Sequence, residues 1–177
     1  SGLGWGLGLH ADGDGGGPTK REGDGRAPAG VFALGPAFGY ADAPPPGLAM
    51  PYRRATARDY FVDDPESPAY NTWQRIPDDR PNEPADHWRS CERMRRDDAQ
   101  YELGVVVGHN TDAPVPGRGS AIFVHVWSAP DEATSGCTAM ARSDLERVLA
   151  WLRADAEPVL VQAPSDALAE LRVARAR

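Results

Sequence analysis

Gly119–Met140 reads GSAIFVHVWSAPDEATSGCTAM. Ile122, Phe123, Val124, Val126 and Trp127 are apolar, β-branched or aromatic, so Ser120–Trp127 reads as a buried strand. His125 is the one imidazole inside that run, and a buried imidazole left without a hydrogen bond costs stability. Ser128–Thr134 carries Pro, Asp, Glu and Ser and reads as a loop. Folding back, the loop brings Cys137 beside His125. Gly136, just before the cysteine, lets the backbone bend sharply or come close to a ligand.

A cysteine beside an imidazole is the minimum equipment for thiol catalysis. The thiolate is the nucleophile, and a free thiol is mostly protonated at neutral pH. A histidine within hydrogen-bond reach takes that proton and returns it to a leaving amine. Backbone N–H groups at a tight Gly-Cys turn can form an oxyanion hole. The plain alternative is a core histidine and a structural cysteine, each common by itself. The tetrapeptide Ser-Gly-Cys-Thr after a strand histidine favours the catalytic reading.

His125 followed by Ser135, Gly136, Cys137 and Thr138 resembles the active-site signature of the L,D-transpeptidase catalytic (YkuD-type) family. Its members carry a strand histidine, a loop, then Ser-His-Gly-Cys and a polar residue. Lys20–Tyr40, KREGDGRAPAGVFALGPAFGY, resembles the family's Thr-Pro-x-Gly-x-Phe strand segment. Asp97–Asn110, DDAQYELGVVVGHN, resembles the strand entering its active site. The resemblance covers most of the chain and is strongest to a divergent branch reading KREGDG…TPAGVF and GRGSAIF.H. Three departures bear on substrate contacts more than on the Cys-His pair. Ser135 stands where many members have His, the first arginine after Cys137 is Arg142, and the loop between His125 and Cys137 is short.

The resemblance implies a two-sheet β-sandwich with cysteine and histidine in a cleft at one end. It also implies acyl transfer on peptidoglycan stem peptides whose third residue is a diamino acid, giving a 3–3 crosslink through a thioester on Cys137. The implied catalytic set is Cys137, His125, Gly136 for the oxyanion (with Thr138 as the alternative), and Val126, whose carbonyl orients His125; Ser135 is the alternative support. The substrate-binding set is Ser135, Thr138, His109, Asn110, Lys20 and Arg21. His109 reads equally as a polar turn after a strand, and Lys20 and Arg21 as a solvated hairpin. No cofactor or metal is expected. With water as acceptor the same site is an L,D-carboxypeptidase or a wall-peptide hydrolase; a non-catalytic wall-binding domain is the third reading. Chemical labelling selective for Cys137 over Cys91 separates an activated site from a mere scaffold.

The chain has 177 residues, a net charge of −7 and a pI of about 5.0. One domain over residues 1–177 is expected, since ~100–200 residues per domain is usual. The acidic balance argues against a nucleic-acid binder, which would show a basic face. No apolar run approaches the ~20 residues that cross a bilayer. The start, Ser1-Gly-Leu-Gly-Trp, shows no signal peptide and reads as trimmed. A monomer facing the periplasm or cell wall is expected. The two cysteines are Cys91 and Cys137, and a nucleophilic Cys137 must be free of a bridge.

Residues 1–19 read as a flexible, glycine-rich start. GLGWGLGLH lacks the third glycine, preceding strand and following helix of a dinucleotide fingerprint. ADGDGGGP lacks EF-hand spacing, so calcium is not expected. Ala43–Pro51 reads as a proline-rich connector. Tyr52–Trp88 looks irregular, with Asp63 and Asp64 as turn and cap residues. His87 near Cys91 loosely suggests a zinc half-site, but its other ligands are missing. Glu83–Arg95 reads as a short helix. Val105, Val106 and Val107 place Tyr101–Gly108 as a central strand. Ser143 and Glu146 form a capping box, after which Leu145, Val148, Leu149 and Leu152 mark one helix face packed behind the cysteine turn. Val159–Val161 reads as a closing strand and residues 165–177 as a tail helix. The fold class expected is mainly β.

Overall fold

The computed structural model describes residues 2–10, 17–168 and 171. The strands are β1 (Leu3–Trp5), β2 (Ala27–Gly39), β3 (Tyr52–Arg54), β4 (Asp59–Val62), β5 (Thr72–Arg75), β6 (Cys91–Arg93), β7 (Leu103–Val107), β8 (Phe123–Val126), β9 (Thr138–Met140) and β10 (Val159–Gln162). The α-helix among the described residues is α1 (Arg142–Trp151). Mainly β, the chain builds two sheets. The larger runs β1-β2-β7-β8-β9, with β3 and β10 also pairing along β2. The smaller runs β5-β4-β6.

Alternation along the strands gives the large sheet two apolar faces. Leu103, Val105, Val107, Ile122, Val124 and Val126 point to one face, where they pack with Leu145, Leu149 and Leu152 of the helical segment. Ala121 and Phe123 point to the other face and pack with Phe38, Phe61, Met94 and Tyr101. Phe123 is fully buried. Its ring meets Phe38, Phe61 and Tyr101 edge-on at 5.4, 5.1 and 5.5 Å, an arrangement aromatic quadrupoles favour. Gly104 is required here, because a Cβ would lie 2.3 Å from the Phe38 ring. This second core joins the small sheet to the large one.

Several elements differ from the sequence expectation. The described part of the start, Leu3–His10, is built in: β1 pairs parallel with β2, and Trp5 is buried. Its glycines serve close packing, since a Cβ on Gly8 would sit 2.4 Å from the Val31 carbonyl. Tyr52–Trp88 holds three of the strands. Its alternation is hidden because Asp59, Tyr60, Phe61 and Val62 are all buried, leaving no period of two to read. Glu83–Arg95 is a 3-10 turn at Pro84–Asp86 followed by β6. Helix α1 starts at Arg142, before Ser143, with Ala141 as N-cap and no side-chain cap bond; Glu146 pairs with Arg142 at 2.9 Å. Leu145 and Leu149 are nonetheless the buried helix face, as read. Residues 165–168 form a turn, and most of the expected tail helix lies outside the described residues.

Candidate active site

Strand β8 sets the site. Its alternation sends Phe123 and His125 to the face shared with the small sheet. Strand β9 runs parallel to it, with Thr138 opposite Val124 and Ala139 opposite His125. Cys137 therefore stands beside Phe123, two positions from His125 on the same face. With strands ~4.8 Å apart and ~6.6 Å of rise for two residues, the diagonal between their Cα atoms is on the order of 8 Å, which two side chains can span. The Phe123 N–H donates to Cys137 Sγ at 3.3 Å, and Sγ donates to the Ala121 carbonyl at 3.6 Å. Both cysteines are free.

His125 is 3% exposed. Its Nδ1 lies 2.7 Å from the Val126 carbonyl. A carbonyl only accepts, so Nδ1 carries the proton, and in the neutral ring Nε2 is left as the acceptor. Burial lowers the His125 pKa from its ordinary value, against the opposing pull of the Val126 carbonyl. Burial pushes the Cys137 thiol up to about 12, with the Glu92 charge adding to it and the Phe123 amide opposing.

The turn before the cysteine is tied by one hydroxyl. Thr134 Oγ1 accepts the Gly136 N–H at 3.3 Å and donates to the Cys137 carbonyl at 2.6 Å. Gly136 has φ 140°, and a Cβ there would lie 2.9 Å from the Arg26 carbonyl oxygen, so glycine is needed on both counts.

Cys137, His125 and Ser135 line one cavity of about 300 Å³. Lys20 lines it too, its amine held by Asp24 and by the Arg21 carbonyl, each at 2.6 Å. The remaining expected contacts fall elsewhere. Arg21 and Thr138 are not among the cavity's lining residues, and the Thr138 hydroxyl bonds Gln162 at 3.1 Å. His109 and Asn110 are 1% and 4% exposed and serve the scaffold. His109 Nδ1 accepts the Leu7 N–H at 3.2 Å, and Nε2 donates to the Arg118 carbonyl at 2.9 Å. Asn110 bonds the Val115 and Gly119 backbones. Their place after a strand is compatible with a cleft; burial beneath the 110–119 loop is what removes them from it.

That scaffold bears on the thiol. Ala121 has φ 52°, a left-handed conformation costly for a residue with a Cβ. Asn71 holds it there, its Oδ1 accepting the Ala121 N–H at 3.1 Å while its amide donates to the His109 and Asn110 carbonyls. Asn71→Ala leaves these buried groups unpaired and is expected to cost about 2–3 kcal/mol in chemical denaturation.

Residues that the sequence reading missed complete the cavity: Glu22, Asp63, Glu92 and Tyr101. Asp64 does act as a turn and cap residue, accepting the Glu66 and Arg89 N–H groups, but its neighbour Asp63 faces the cavity. Tyr101 donates to Glu92 at 2.5 Å and meets the His125 ring edge-on at 5.1 Å. Burial raises the pKa of both Glu92 and Asp63. Among the described residues no group of three or more His, Cys, Asp or Glu is arranged to hold a metal, and no helix is long and apolar enough to cross a membrane.

Fold and cavity together define a two-sheet β protein with a histidine on one strand and a cysteine at the entry to its parallel neighbour. The family model of the YkuD L,D-transpeptidase catalytic domain matches residues 6–161, and the chain belongs to that family. The family is generally enzymatic, and it implies a peptidoglycan substrate. No curated protein and no solved structure gives a significant match to the chain.

Proposed function

We propose that this protein is an L,D-transpeptidase acting on peptidoglycan stem peptides through a thioester on Cys137, on the wall-facing side of the cell envelope. The observation that carries the reading is that Cys137 and a carbonyl-anchored His125 line the same cavity. The His125 Nε2 takes the thiol proton as Sγ attacks the carbonyl of the diamino acid's L-centre. The Cys137 amide, at the Gly-Cys turn, receives the developing oxyanion; the Gly136 amide rests on Thr134 before substrate enters. Collapse of the tetrahedral intermediate breaks the bond to terminal D-alanine, whose amine takes the proton from His125. An amine of a second stem peptide then attacks the thioester, regenerating the thiol and forming the 3–3 crosslink.

With the thiol pKa raised and the imidazole pKa lowered, proton transfer to His125 accompanies attack. A lowered His125 pKa keeps the base form present to lower pH. The acid limb of kcat/KM is therefore expected below about pH 6.5, the ordinary histidine value. A raised thiol pKa means iodoacetamide labelling of Cys137 keeps climbing through about pH 10, where an activated thiolate would already have reached its plateau near pH 7. Neutral-pH labelling that singles out Cys137 is thus not the signature to look for in the free protein.

Incubation with a purified stem-tetrapeptide muropeptide and mass spectrometry tests the proposal. Crosslinked dimer supports transfer. A shortened monomer alone assigns the site to hydrolysis, and unchanged muropeptide leaves only a binding role.

A further inference from the structure

Two cavities share a wall. The reaction cavity and a shallower groove of about 470 Å³, lined by Cys91, Arg93, Asp97 and Asp98, both border Glu92 and Arg96. Glu92 and Arg96 thus stand between the groove and the cavity that holds the thiol.

The charges on this path are unevenly satisfied. Arg96 is engaged, its guanidinium forked onto Asp98 at 2.7–3.1 Å. Lys20, the other cation of the cavity, is closed off by Asp24. The carboxylates have no such partners. Glu22 is met by the hydroxyls of Tyr70 and Ser120, and Glu92 by that of Tyr101. Asp63 has the Ser90 hydroxyl nearby, yet its Oδ1 is sealed from solvent with no hydrogen-bond partner. The cations face their own ion pairs, while the carboxyl groups of Glu22, Glu92 and Asp63 face neutral hydroxyls. A partly buried carboxylate without a counter-charge is costly, and an incoming cation relieves that cost.

The geometry points to Glu92 as the residue that receives a primary ammonium of the substrate, at the threshold between the outer groove and Cys137. The inference rests on the stem-peptide reading above, in which the ammonium is either the donor's diamino side chain or the acceptor amine. Bound there, it supplies positive charge beside the thiol. The Glu92 charge is among the causes that hold Cys137 protonated, so the ligand that cancels it also eases ionisation of the nucleophile.

The test uses methanethiosulfonates of different charge, in which the thiolate displaces methanesulfinate and forms a mixed disulfide. In a Cys91→Ser background only Cys137 reports. The ethylammonium reagent is expected to outpace the ethylsulfonate reagent by about ten-fold more than it does on β-mercaptoethanol, a neutral thiol. Glu92→Gln, which keeps a partner for Tyr101, is expected to remove most of that preference while the neutral methyl reagent loses no rate; Asp97→Asn on the far wall of the groove keeps the preference. A wild-type preference no greater than that of β-mercaptoethanol overturns the inference whatever the variant does, and so does a preference that survives in a folded Glu92→Gln chain.

The muropeptide arm separates the two sources. A raised KM for D-alanine release in Glu92→Gln assigns the ammonium to the donor. Intact release with less dimer assigns it to the acceptor. Unchanged KM and unchanged partition overturn the inference. The reagent arm involves no peptidoglycan, so failure of the Glu92 assignment and failure of the transpeptidase reading are read independently.

Discussion

Cys137→Ala is expected to lower D-alanine release from a stem tetrapeptide by roughly 10⁴–10⁶-fold, leaving only what binding and the oxyanion site provide. The chemistry needs a nucleophile at that point, and Cys137 Sγ is held there between the Phe123 amide and the Ala121 carbonyl. The expected structural cost is about 1 kcal/mol, because the Phe123 N–H loses only a weak sulfur acceptor at the margin of the aromatic core. A melting curve close to the parent's is therefore part of the result, and it separates lost chemistry from lost fold. His125→Ala is expected to cost roughly 10²–10⁴-fold, the usual worth of a positioned base. The two losses are expected not to add: a double variant should resemble Cys137→Ala, since a base without its nucleophile does nothing. D-alanine release within ten-fold or so of the parent in folded Cys137→Ala sinks the thioester mechanism.

The second large effect concerns stability. Lowering the pH from 7 to 4 is expected to weaken the fold by about 3 kcal/mol through His109 alone. Burial holds the folded His109 pKa at about 4, against 6.5 for the ordinary imidazole. Both ring nitrogens are committed to the neutral form, Nδ1 accepting from Leu7 and Nε2 donating to the Arg118 carbonyl, and Lys20 and Arg118 repel a second proton. The folded-state pKa is depressed. Between pH 6.5 and 4 the unfolded chain binds a proton that the folded chain refuses, so stability is full above about 6.5 and falls with pH. Asp63 and Glu92 act in the opposite sense, since burial raises them and the folded state favours their protonated forms. Denaturant unfolding at pH 7, 5 and 4 on the parent and on His109→Gln isolates the histidine. The variant starts less stable and shows the shallower slope, and parallel slopes for the two proteins refute the assignment.

Much of the site's central strand was legible. Ile122, Val124 and Val126 alternate with Phe123 and His125, and a run so rich in β-branched and aromatic residues has little other use. The helix face of Leu145 and Leu149 was legible for the same reason, although the capping box was not realised: the helix had already begun at Arg142. The small sheet was not legible. Asp59 reads as a polar residue, but the fold buries it with its carboxylate accepting from Thr56, Trp73, Arg53 and Arg75, partners its own stretch does not reveal. His109 and Asn110 illustrate the converse. Their types suit a cleft, and only the Leu7 segment, Phe32 and the 110–119 loop packed around them make them internal.

By itself the sequence determined that an imidazole would sit in a buried strand, that a loop and a glycine turn would bring a cysteine back beside it, and that an apolar helix face would follow. Those are local periodicities and local backbone demands, legible within a dozen residues. Tertiary structure alone decided which face the sulfur shares and what charges surround it. The strand register brings Glu22, Asp63, Glu92 and Tyr101 from four separate segments to one cavity wall. The burial that follows from that convergence sets the proton affinities on which the chemistry turns.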